Sequence, residues 1–503
     1  MSQKPSTNGK KHQHYPNFMS ESTPLSKYET VIGLEVHAQL MTESKIFAPD
    51  ANKFGSAPNT NISPITLGHP GVLPKLNKKA VEFAIKMGLA SGSEITRNQY
   101  FDRKNYFYPD LPKGYQITQD KTPICVGGSV MVRLKDGTER PIAFHHIHLE
   151  EDAGKSIHAD NETDTLLDYN RAGTPLIEMV TDPCIKSAEE AATFMSEIRK
   201  LVRYLGICDG NMEEGSLRCD VNISLRLQGS QTFGTKVEIK NMNSMRFIQR
   251  AIEYEVERQG KMLDNGETII QETRMFDPAT GQTYGMREKE TMNDYRYFPE
   301  PDLAPLHISE TWLQEIKANL PETPRTLFLK FQDKYGLAEY DASVLTDTRE
   351  LAEYFEQTCQ HTQNYKAVAN WISNNIKAQL REDADIKTFS ISPERLAQLI
   401  SLIDQNQISN SLASQKLFPL MMQALELSAL EIAQKHGLVQ ESDTDLLQTW
   451  IDAVISENPE KVQEFKKGKK GLIGMFMGEL MKKSKGQADP KASNALMMKS
   501  LME

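Results

Sequence analysis

Four short stretches of the chain alternate between apolar and polar side chains, and this alternation constrains the fold more than any other feature. A period of two is the pattern of a β-strand with one apolar and one polar face. The stretches are Leu34–Leu40 (LEVHAQL), His146–Glu150 (HIHLE), Leu217–Arg226 (LRCDVNISLR) and Lys236–Lys240 (KVEIK). Their polar positions are rich in carboxylates, histidine and basic residues. The pattern therefore predicts a sheet with one chemically active face.

The length and charge of the chain limit what the molecule can be. At 503 residues it exceeds the size of a single hydrophobic core, so two or three domains are expected. The sequence has no run of about 18 apolar residues, which predicts that no segment spans a membrane. The formal net charge of −10 argues against nonspecific binding of nucleic acid by the whole surface, although a local basic patch could still bind RNA.

The cysteines and the first residues indicate the compartment. The five cysteines lie far apart without a CxxC pair, which is typical of a reducing cytosol and does not support a zinc knuckle or redox motif. We therefore expect a cytoplasmic protein. Residues 1–26 are polar without an apolar core, and we interpret them as a disordered tail rather than a secretory signal or transit peptide.

The composition changes along the chain. Residues 27–315 are strand-like, with Pro and Gly turns and some helical pieces, and predict one large α+β domain. Residues 316–430 have helical spacing of apolar residues and predict an all-α domain. Residues 431–503 predict a small α-helical tail domain, whose basic segments could either contact RNA phosphates or form a solvated helix face. The lysines concerned are Lys466, Lys467, Lys469, Lys470, Lys482 and Lys483.

Carboxylates are clustered next to glycine at two predicted strand ends, in EEDAG at 150–154 and EEG at 213–215. Neighbouring carboxylates repel one another unless a positive group lies among them. A Mg²⁺ ion bound by oxygen ligands would satisfy this requirement, and salt bridges to nearby Arg and Lys are the alternative. The candidate metal ligands are Glu35, His37, Glu150, Glu151 and Glu214.

The chain lacks the phosphate-binding loop GxxxxGK[ST]. ATP could still bind through carboxylate-held Mg²⁺ and basic side chains that stabilise a transferring phosphoryl group. Lys155, Arg171, Arg218 and Lys240 are the candidate basic residues, each of which could instead be a structural ion-pair partner. The sequence also lacks a GxSxG elbow and a Ser/Lys amidase signature, so any ammonia that is needed must come from another chain.

Five longer strings make the chain resemble a known family. They are VIGLEVH at 31–37, DRKNYFYPD at 102–110, LEEDAGK at 149–155, NMEEGS at 211–216 and DYRYFPEPD at 294–302. In this order they are similar to the B subunits (GatB) of the aspartyl/glutamyl-tRNA amidotransferases. The resemblance extends from about Tyr28 to the end of the chain.

The resemblance implies an α+β fold, in which 27–315 form a catalytic cradle with an antiparallel sheet similar to that of glutamine synthetase. A helical domain at 316–430 and a tRNA-binding tail domain at 431–503 would follow. The implied reaction uses ATP and Mg²⁺ to phosphorylate the side-chain carboxyl of misacylated Asp-tRNA(Asn) or Glu-tRNA(Gln), after which ammonia displaces the phosphate. In the family an amidase subunit releases this ammonia from glutamine and a small third subunit stabilises the complex. A non-discriminating aminoacyl-tRNA synthetase is a further candidate partner.

The resemblance also implies roles for residues of this chain. Glu35 and His37 match the metal-binding strand, Glu150 and Glu151 the acidic ligand pair, and Glu214 an acidic loop near the same site. The catalytic candidates are Glu150, Glu151, Lys155, Arg218 and Lys240, and the nucleotide-binding candidates are Lys155, Arg171, Arg218 and Lys240.

Two departures from the family pattern bear on this site. Many members carry four zinc-binding cysteines where this chain has Ala48, Asp50, Ser63 and Thr66, so we expect no zinc. At His146 an arginine is usual, and the change could alter a polar contact while leaving the acidic string intact.

Two other functions are compatible with the same residues. A tRNA-binding scaffold without chemistry of its own would depend on Lys469 and Lys470 more than on the carboxylates. A ligase acting on free aspartate or glutamate would also be compatible with a glutamine synthetase-like cradle.

Overall fold

The computed structural model describes residues 27–158, 164–288, 295–439, 444–484 and 488–502. The predicted disordered tail at 1–26 lies outside the described residues. The chain divides into two compact units, one of Met1–Ile198 with Cys208–Lys317 and the other of Arg199–Ile207 with Ala318–Glu503. In the part of the chain that is described, no helix is both long and apolar enough to cross a bilayer.

The strands lie in the first unit. They are β1 (Tyr28–Gln39), β2 (Glu94–Ile95), β3 (Asn98–Gln99), β4 (Asp102–Asn105), β5 (Tyr115–Thr118), β6 (Cys125–Val126), β7 (Ser129–Arg133), β8 (Glu139–Glu151), β9 (Lys155–His158), β10 (Thr165–Asp168), β11 (Pro175–Thr181), β12 (Leu217–Leu227), β13 (Val237–Met242), β14 (Glu272–Asp277), β15 (Gln282–Glu288), β16 (Phe298–Pro299) and β17 (Leu306–His307).

Helices are interspersed with these strands and then fill the second unit. They are α1 (Lys78–Ser91), α2 (Ala188–Tyr204), α3 (Met245–Asp264), α4 (Glu310–Ala318), α5 (Pro324–Asp333), α6 (Glu339–Leu345), α7 (Arg349–Cys359), α8 (Tyr365–Trp371), α9 (Pro393–Asp404), α10 (Asn410–Leu412), α11 (Phe418–Gln423), α12 (Ala429–Lys435), α13 (Thr444–Glu457), α14 (Pro459–Lys466), α15 (Ile473–Lys483) and α16 (Pro490–Met502). Short π-helical turns at Ile372–Ile376 and Ala413–Leu417 and 3₁₀ turns at Lys377–Gln379, Asp383–Thr388 and Lys470–Leu472 complete the helical segments.

A ten-stranded sheet, counted over the described residues, dominates the first unit. Its order is β15-β14-β13-β12-β1-β11-β8-β6-β2, and β7 pairs with β8. All four alternating stretches lie in strands of this sheet, as predicted, except that Leu40 and Lys236 fall just outside β1 and β13. The prediction of an antiparallel sheet is wrong for one pair of strands, because β13 and β14 run parallel. Helix α3 connects these two strands, which is the crossover that a parallel pair requires.

The apolar face of the sheet is buried against helices. On β1, the side chains of Leu34, Val36 and Ala38 are fully buried, alternating with the polar positions. Helix α1 packs against β8, and α3 packs against β12 and β13. Phe194 of α2 also meets Phe144 of β8, with ring centroids 5.8 Å apart. Burial of this face orients the polar face of the same strands away from the helices.

The second unit is helical, as the composition of the second half predicted. Its larger hydrophobic cluster is built from α5 to α12 and includes Tyr204 from the end of α2. A smaller cluster from Leu447 to Leu501 holds together the helices α13 to α16.

Candidate active site

Four neighbouring strands bring charged side chains together on the polar face of the large sheet. Strand pairing places His37 of β1 opposite Arg218 of β12 on one side and opposite Glu178 of β11 on the other. Glu178 is in turn opposite His148 of β8. Residues directly opposite one another project from the same face of a sheet, so these side chains form a row across it.

His37, Glu150 and Glu178 form what we call the His37 cluster. Nε2 of His37 lies 3.3 Å from Oε2 of Glu178. Nε2 of His148 lies 3.5 Å from the same oxygen and 3.4 Å from Oε2 of Glu150. Thr118 of β5 donates a 3.3 Å hydrogen bond to Glu150. One ligand atom from each cluster member lies within 4.8 Å of the other two, a spacing that a divalent cation could bridge.

The carboxylates of the His37 cluster and the two histidines His37 and His148 stabilise each other's charge. Burial alone would lower the pKa of His37, but the charge and hydrogen bond of Glu178 raise it to about 9. Burial alone would raise the pKa of Glu178, but the charges of His37 and His148 lower it. His37 is therefore protonated and paired with an ionised Glu178 at neutral pH. A metal ion bound here would replace the proton on His37.

Glu35 of β1, Asp220 of β12 and Glu238 of β13 form a second group, the Glu35 cluster, whose ligand atoms also lie within 4.8 Å of one another. Asn222 donates a 2.8 Å hydrogen bond to Glu35. Nζ of Lys240 lies 2.5 Å from Asp220 and 3.0 Å from Glu238. Burial and the neighbouring carboxylates raise the pKa of Glu35. The charge of Lys240 does not balance three carboxylates, which favours a cation among them.

Asp152 anchors two of the candidate phosphate-binding arginines. Its Oδ2 accepts hydrogen bonds from Arg218 at 2.8 Å and from Gln39 at 2.7 Å. Nε of Arg171 lies 3.8 Å from the same oxygen. Burial alone would raise the pKa of Asp152, but the charges of Arg218 and Arg171 lower it to about 2. The arginines are therefore held in place by a carboxylate that stays ionised.

A cavity of about 270 Å³ opens next to these residues. It brings together Lys155, Arg171 and Glu214, which the sequence singled out separately. Gln39, Asp168 and Asn170 also line it. Its polar walls of both signs could bind a charged, hydrogen-bonding ligand. Glu214 belongs to this cavity and not to either carboxylate cluster.

Glu151 is separated from Glu150 by the pleat of β8. Its carboxylate accepts a hydrogen bond from the backbone N–H of Ile117 at 2.9 Å and is paired with Lys113. Successive side chains of a strand point to opposite faces, so Glu150 joins the His37 cluster and Glu151 does not. The structure thus separates the acidic pair that the resemblance implied.

The six lysines of the tail are exposed on helices or turns of the second unit. Lys469 is paired with Glu464 at 3.1 Å, and Lys483 is paired with Glu457. Lys470 lies over the ring of Phe465, 5.7 Å from its centroid. All six lysines are thus exposed, and Lys469, Lys470 and Lys483 contact neighbours inside the second unit.

Comparison with known proteins identifies the relatives of the chain. Residues 30–314 match the model of the GatB/GatE catalytic domain, and residues 353–501 match that of the GatB domain. The B subunit of the aspartyl/glutamyl-tRNA(Asn/Gln) amidotransferase of Thermodesulfovibrio yellowstonii is 49% identical over 95% of this chain and 100% of its own length. The chain belongs to the GatB family. Proteins of the same name from Synechococcus sp. (strain JA-3-3Ab) and Nitrosococcus oceani are 49% and 48% identical, over 94% of this chain and 98% and 100% of their lengths.

Three acids of this GatB family chain were missed as candidate ligands by the sequence analysis. Asp220 and Glu238 lie on the polar side of alternating stretches, so the alternation alone could have found them. Glu178 lies in β11, whose sequence PLIEMVT is apolar at almost every position and gives no alternation. Its one available signal is a lone carboxylate in an otherwise apolar strand, since an unpaired charge is rarely buried.

The positions where this chain departs from the GatB family pattern have local partners. Asp50 accepts hydrogen bonds from Ser63 at 2.8 Å and from Thr66. The expected absence of zinc stays a prediction. Nε2 of His146 lies 3.1 Å from Nδ1 of His148, and the two rings stack. Burial and the charge of His148 lower the pKa of His146 to about 4, so a neutral imidazole lies here at neutral pH.

Proposed function

We propose that this chain is the component of a tRNA-dependent amidotransferase that activates and amidates misacylated tRNA. The substrates would be Asp-tRNA(Asn) and Glu-tRNA(Gln), the tRNAs after which its relatives are named. The observation that carries the proposal is the convergence of two carboxylate clusters and the anchored Arg218 on one face of the sheet. Such a face suits phosphoryl transfer, where catalysis depends on positioning and on stabilising negative charge.

The chemistry requires activation because a carboxylate is a poor electrophile. In the first step an oxygen of the substrate carboxylate attacks the γ-phosphorus of ATP, and the bond to ADP breaks. In the second step ammonia attacks the carbonyl carbon, and inorganic phosphate leaves as the C–O bond breaks. The nitrogen then loses its extra proton, so the products are the side-chain amide, ADP and phosphate.

The two clusters fit divalent cations. His37, Glu150 and Glu178 would hold one Mg²⁺, and Glu35, Asp220 and Glu238 would hold a second, because each set offers three ligand atoms within 4.8 Å of one another. Bound Mg²⁺ would neutralise charge on the phosphates of ATP. A cation among the carboxylates of the Glu35 cluster would also free Lys240 from Asp220, so that its ammonium could contact a phosphate.

The basic side chains would orient the nucleotide. Lys155 and Arg171 line the cavity of about 270 Å³ and would bind phosphate oxygens of ATP. Arg218, held by Asp152, would stabilise negative charge that develops on the transferring group. Because these cations are positioned before the reaction, their reorganisation would cost little in the transition state.

The remaining parts of the proposal concern partners and architecture. A partner amidase would supply ammonia, a small third subunit would stabilise the assembly, and a non-discriminating synthetase would deliver the misacylated tRNA. The tail lysines would contact tRNA phosphates, which gives affinity without base specificity. A cradle of the glutamine synthetase type and a cytoplasmic location belong to the same proposal.

The test uses the chain co-expressed with a candidate amidase and a candidate small subunit. We expect amide formation on Asp-tRNA(Asn), Glu-tRNA(Gln) or both, requiring ATP and Mg²⁺ and lost with a chelator. Glu150→Gln should lower amidation about 100-fold or more while glutamine hydrolysis by the partner continues. Binding of the tRNAs without ATP-dependent amidation would instead assign the chain a scaffold role, and amidation of free aspartate or glutamate would assign it a small-molecule ligase role.

A further inference from the structure

A row of four tyrosine rings lies beside the His37 cluster and has no part in the function proposed above. In order they are Tyr108, Tyr106, Tyr295 and Tyr297. Neighbouring ring centroids are 6.0 Å apart and the ring planes cross at 67° to 73°. Edge-to-face pairs of this kind are attractive and hold rings in fixed relative positions. The row is therefore a structured surface.

The row joins two distant segments of the chain. The backbone N–H of Asn105 donates a 2.9 Å hydrogen bond to the carbonyl of Tyr295, and the Asn105 side chain donates a 2.8 Å bond to the carbonyl of Arg296. Arg296 has a φ of 44°, a left-handed conformation that is uncommon for residues other than glycine. Between Tyr295 and Tyr297 the backbone is thus held in a fixed turn, which keeps both rings in the row.

The two end residues of the row are partly exposed to solvent. Tyr108 is 53% exposed and Tyr297 is 40% exposed, whereas Tyr106 and Tyr295 are partly buried. Phe107, next to the row, is 84% exposed. Large aromatic side chains contribute most to stability when they are buried. Rigid rings exposed next to a carboxylate cluster are therefore better explained by a ligand than by folding.

A lysine connects the row to the His37 cluster. Nζ of Lys104 lies 4.9 Å from the ring centroid of Tyr295. Burial alone would lower the pKa of Lys104, but the charges of Glu150 and Glu178 raise it. In the described segments, the ion pairs that Glu150 and Glu178 form at 4.0 Å or less are with His37 and His148 rather than with this ammonium. A ligand that spans the row and the cluster would therefore pass this ammonium.

The reaction restricts which ligand can do this. The carboxyl group to be activated must reach the clusters, and in an aminoacyl-tRNA it is joined through a short ester to the ribose of the terminal adenosine. The base of that nucleotide must therefore lie within one nucleotide's length of the clusters. Two of the four proposed phosphate ligands, Arg218 and Lys240, lie on β12 and β13. The row adjoins β5, where the Tyr106 hydroxyl donates a 3.4 Å hydrogen bond to Gln116, and Thr118 of β5 bonds in turn to Glu150 of β8. The strands β11 and β1 lie between β8 and these two phosphate ligands.

We propose that the exposed rings of Tyr108 and Tyr297 stack on the adenine of the 3′-terminal nucleotide of the aminoacyl-tRNA. Lys104 contacts the ester-linked amino acid or its neighbouring phosphate. This inference rests on the proposed function, since it assigns the row to the same substrate. Stacking on aromatic rings tolerates any base, but here the base is always adenine because every mature tRNA ends in CCA.

The experiment uses the full complex and a tRNA that carries fluorescent 2-aminopurine in place of the terminal adenine. Stacking on the row should quench the probe when the tRNA binds. The double variant Tyr108→Leu with Tyr297→Leu should lose the quenching and raise the KM for aminoacyl-tRNA about 10-fold, with the KM for ATP unchanged. Tyr108→Phe with Tyr297→Phe keeps the rings and should retain the quenching. Tyr340→Leu, which changes an exposed tyrosine of the second unit, is the matched control.

Each outcome decides the inference. Undiminished quenching in the double Leu variant overturns it, and so does a raised KM for ATP with an unchanged KM for tRNA, which would assign the row to the adenine of ATP. The fluorescence reading needs no turnover. Quenching that depends on the two rings, found in a complex that makes no amide, would support the row as a site for the terminal base while contradicting the proposed function.

Discussion

The first unit and the tail of the second unit use charged residues in different ways. In the first unit Glu178, Glu151 and Asp152 are largely buried, and each has partners from distant parts of the chain. In the tail the charged lysines are exposed, and Lys469 pairs with Glu464 only five residues away. A buried charge whose partner is removed is costly, whereas an exposed ion pair contributes little. Substitution of a charged residue should therefore change activity or stability strongly in the sheet and only weakly in the tail.

The largest effect should come from Glu178→Gln. The amide has nearly the same shape but cannot carry the negative charge that His37 and His148 share. We expect ATP-dependent amidation to fall about 100-fold or more, while the partner's glutamine hydrolysis continues. Glu257→Gln, which changes an exposed acid on α3, is the control and should keep full activity. Activity within twofold of wild type in Glu178→Gln would remove the His37 cluster from the mechanism.

Glu151→Gln should act on stability. It removes the buried partner of Lys113 and leaves that ammonium uncompensated, so the free energy of unfolding should fall by about 3 kcal/mol. Urea unfolding followed by circular dichroism measures this loss of free energy. Adding Lys113→Met should restore part of the loss, because it removes the uncompensated charge. If the double variant is no more stable than Glu151→Gln alone, the uncompensated charge of Lys113 is not the cause of the lost stability.

Lys45 provides a pH-dependent test of the buried charges. Burial lowers its pKa to about 8, against the attraction of Asp50 and Glu151. Between pH 8 and 10.5, Lys45 therefore carries its proton in the unfolded chain but not in the folded protein. Because the unfolded state binds more protons, the free energy of unfolding should rise with pH across this window. Relative to Lys45→Met, the free energy of unfolding of the wild-type protein, measured with urea, should rise by about 3 kcal/mol between pH 7 and 10.5. Lys79→Met, at an exposed lysine, should show no such difference.

The smallest effect should come from Lys469→Glu combined with Lys470→Glu. These exposed lysines should change the free energy of unfolding by less than about 0.5 kcal/mol. We expect tRNA affinity to fall about fivefold and the slope of log K against log salt to decrease by about 1 to 2. Filter binding at several salt concentrations measures both. A loss of amidation as large as that of Glu178→Gln would mean that the tail does more than attract phosphates.

The alternation of β1, β8, β12 and β13 could be predicted because it is local, and it also identified the polar face with Glu35, His37 and Glu150. What brings Glu178 to that face is the pairing of β11 with β1 and β8, strands far apart in sequence. No local pattern carries that information. The adjacent acids Glu150 and Glu151 look equivalent in the string EED, and only the pleat of β8 assigns them to different surroundings.

The partition of the acids into two clusters was also beyond local patterns. Glu35 and His37 are two residues apart and predict one site, but β12 and β13 draw Glu35 toward Asp220 and Glu238 while β11 draws His37 toward Glu178. The cavity with Lys155, Arg171 and Glu214 likewise collects residues from three loops or strand ends. These are tertiary properties, because loop closure and strand order determine them.

Strand β1 supplies one ligand to each cluster from positions 35 and 37, and around these positions it pairs with β11 on one side and β12 on the other. Inserting or deleting a single residue before Glu35 within the strand would shift its register and turn both side chains toward the helices. Both clusters would be lost in one step, with no partial intermediate. Length changes in the lineage of this protein should therefore be absent from β1 and confined to the turns around it.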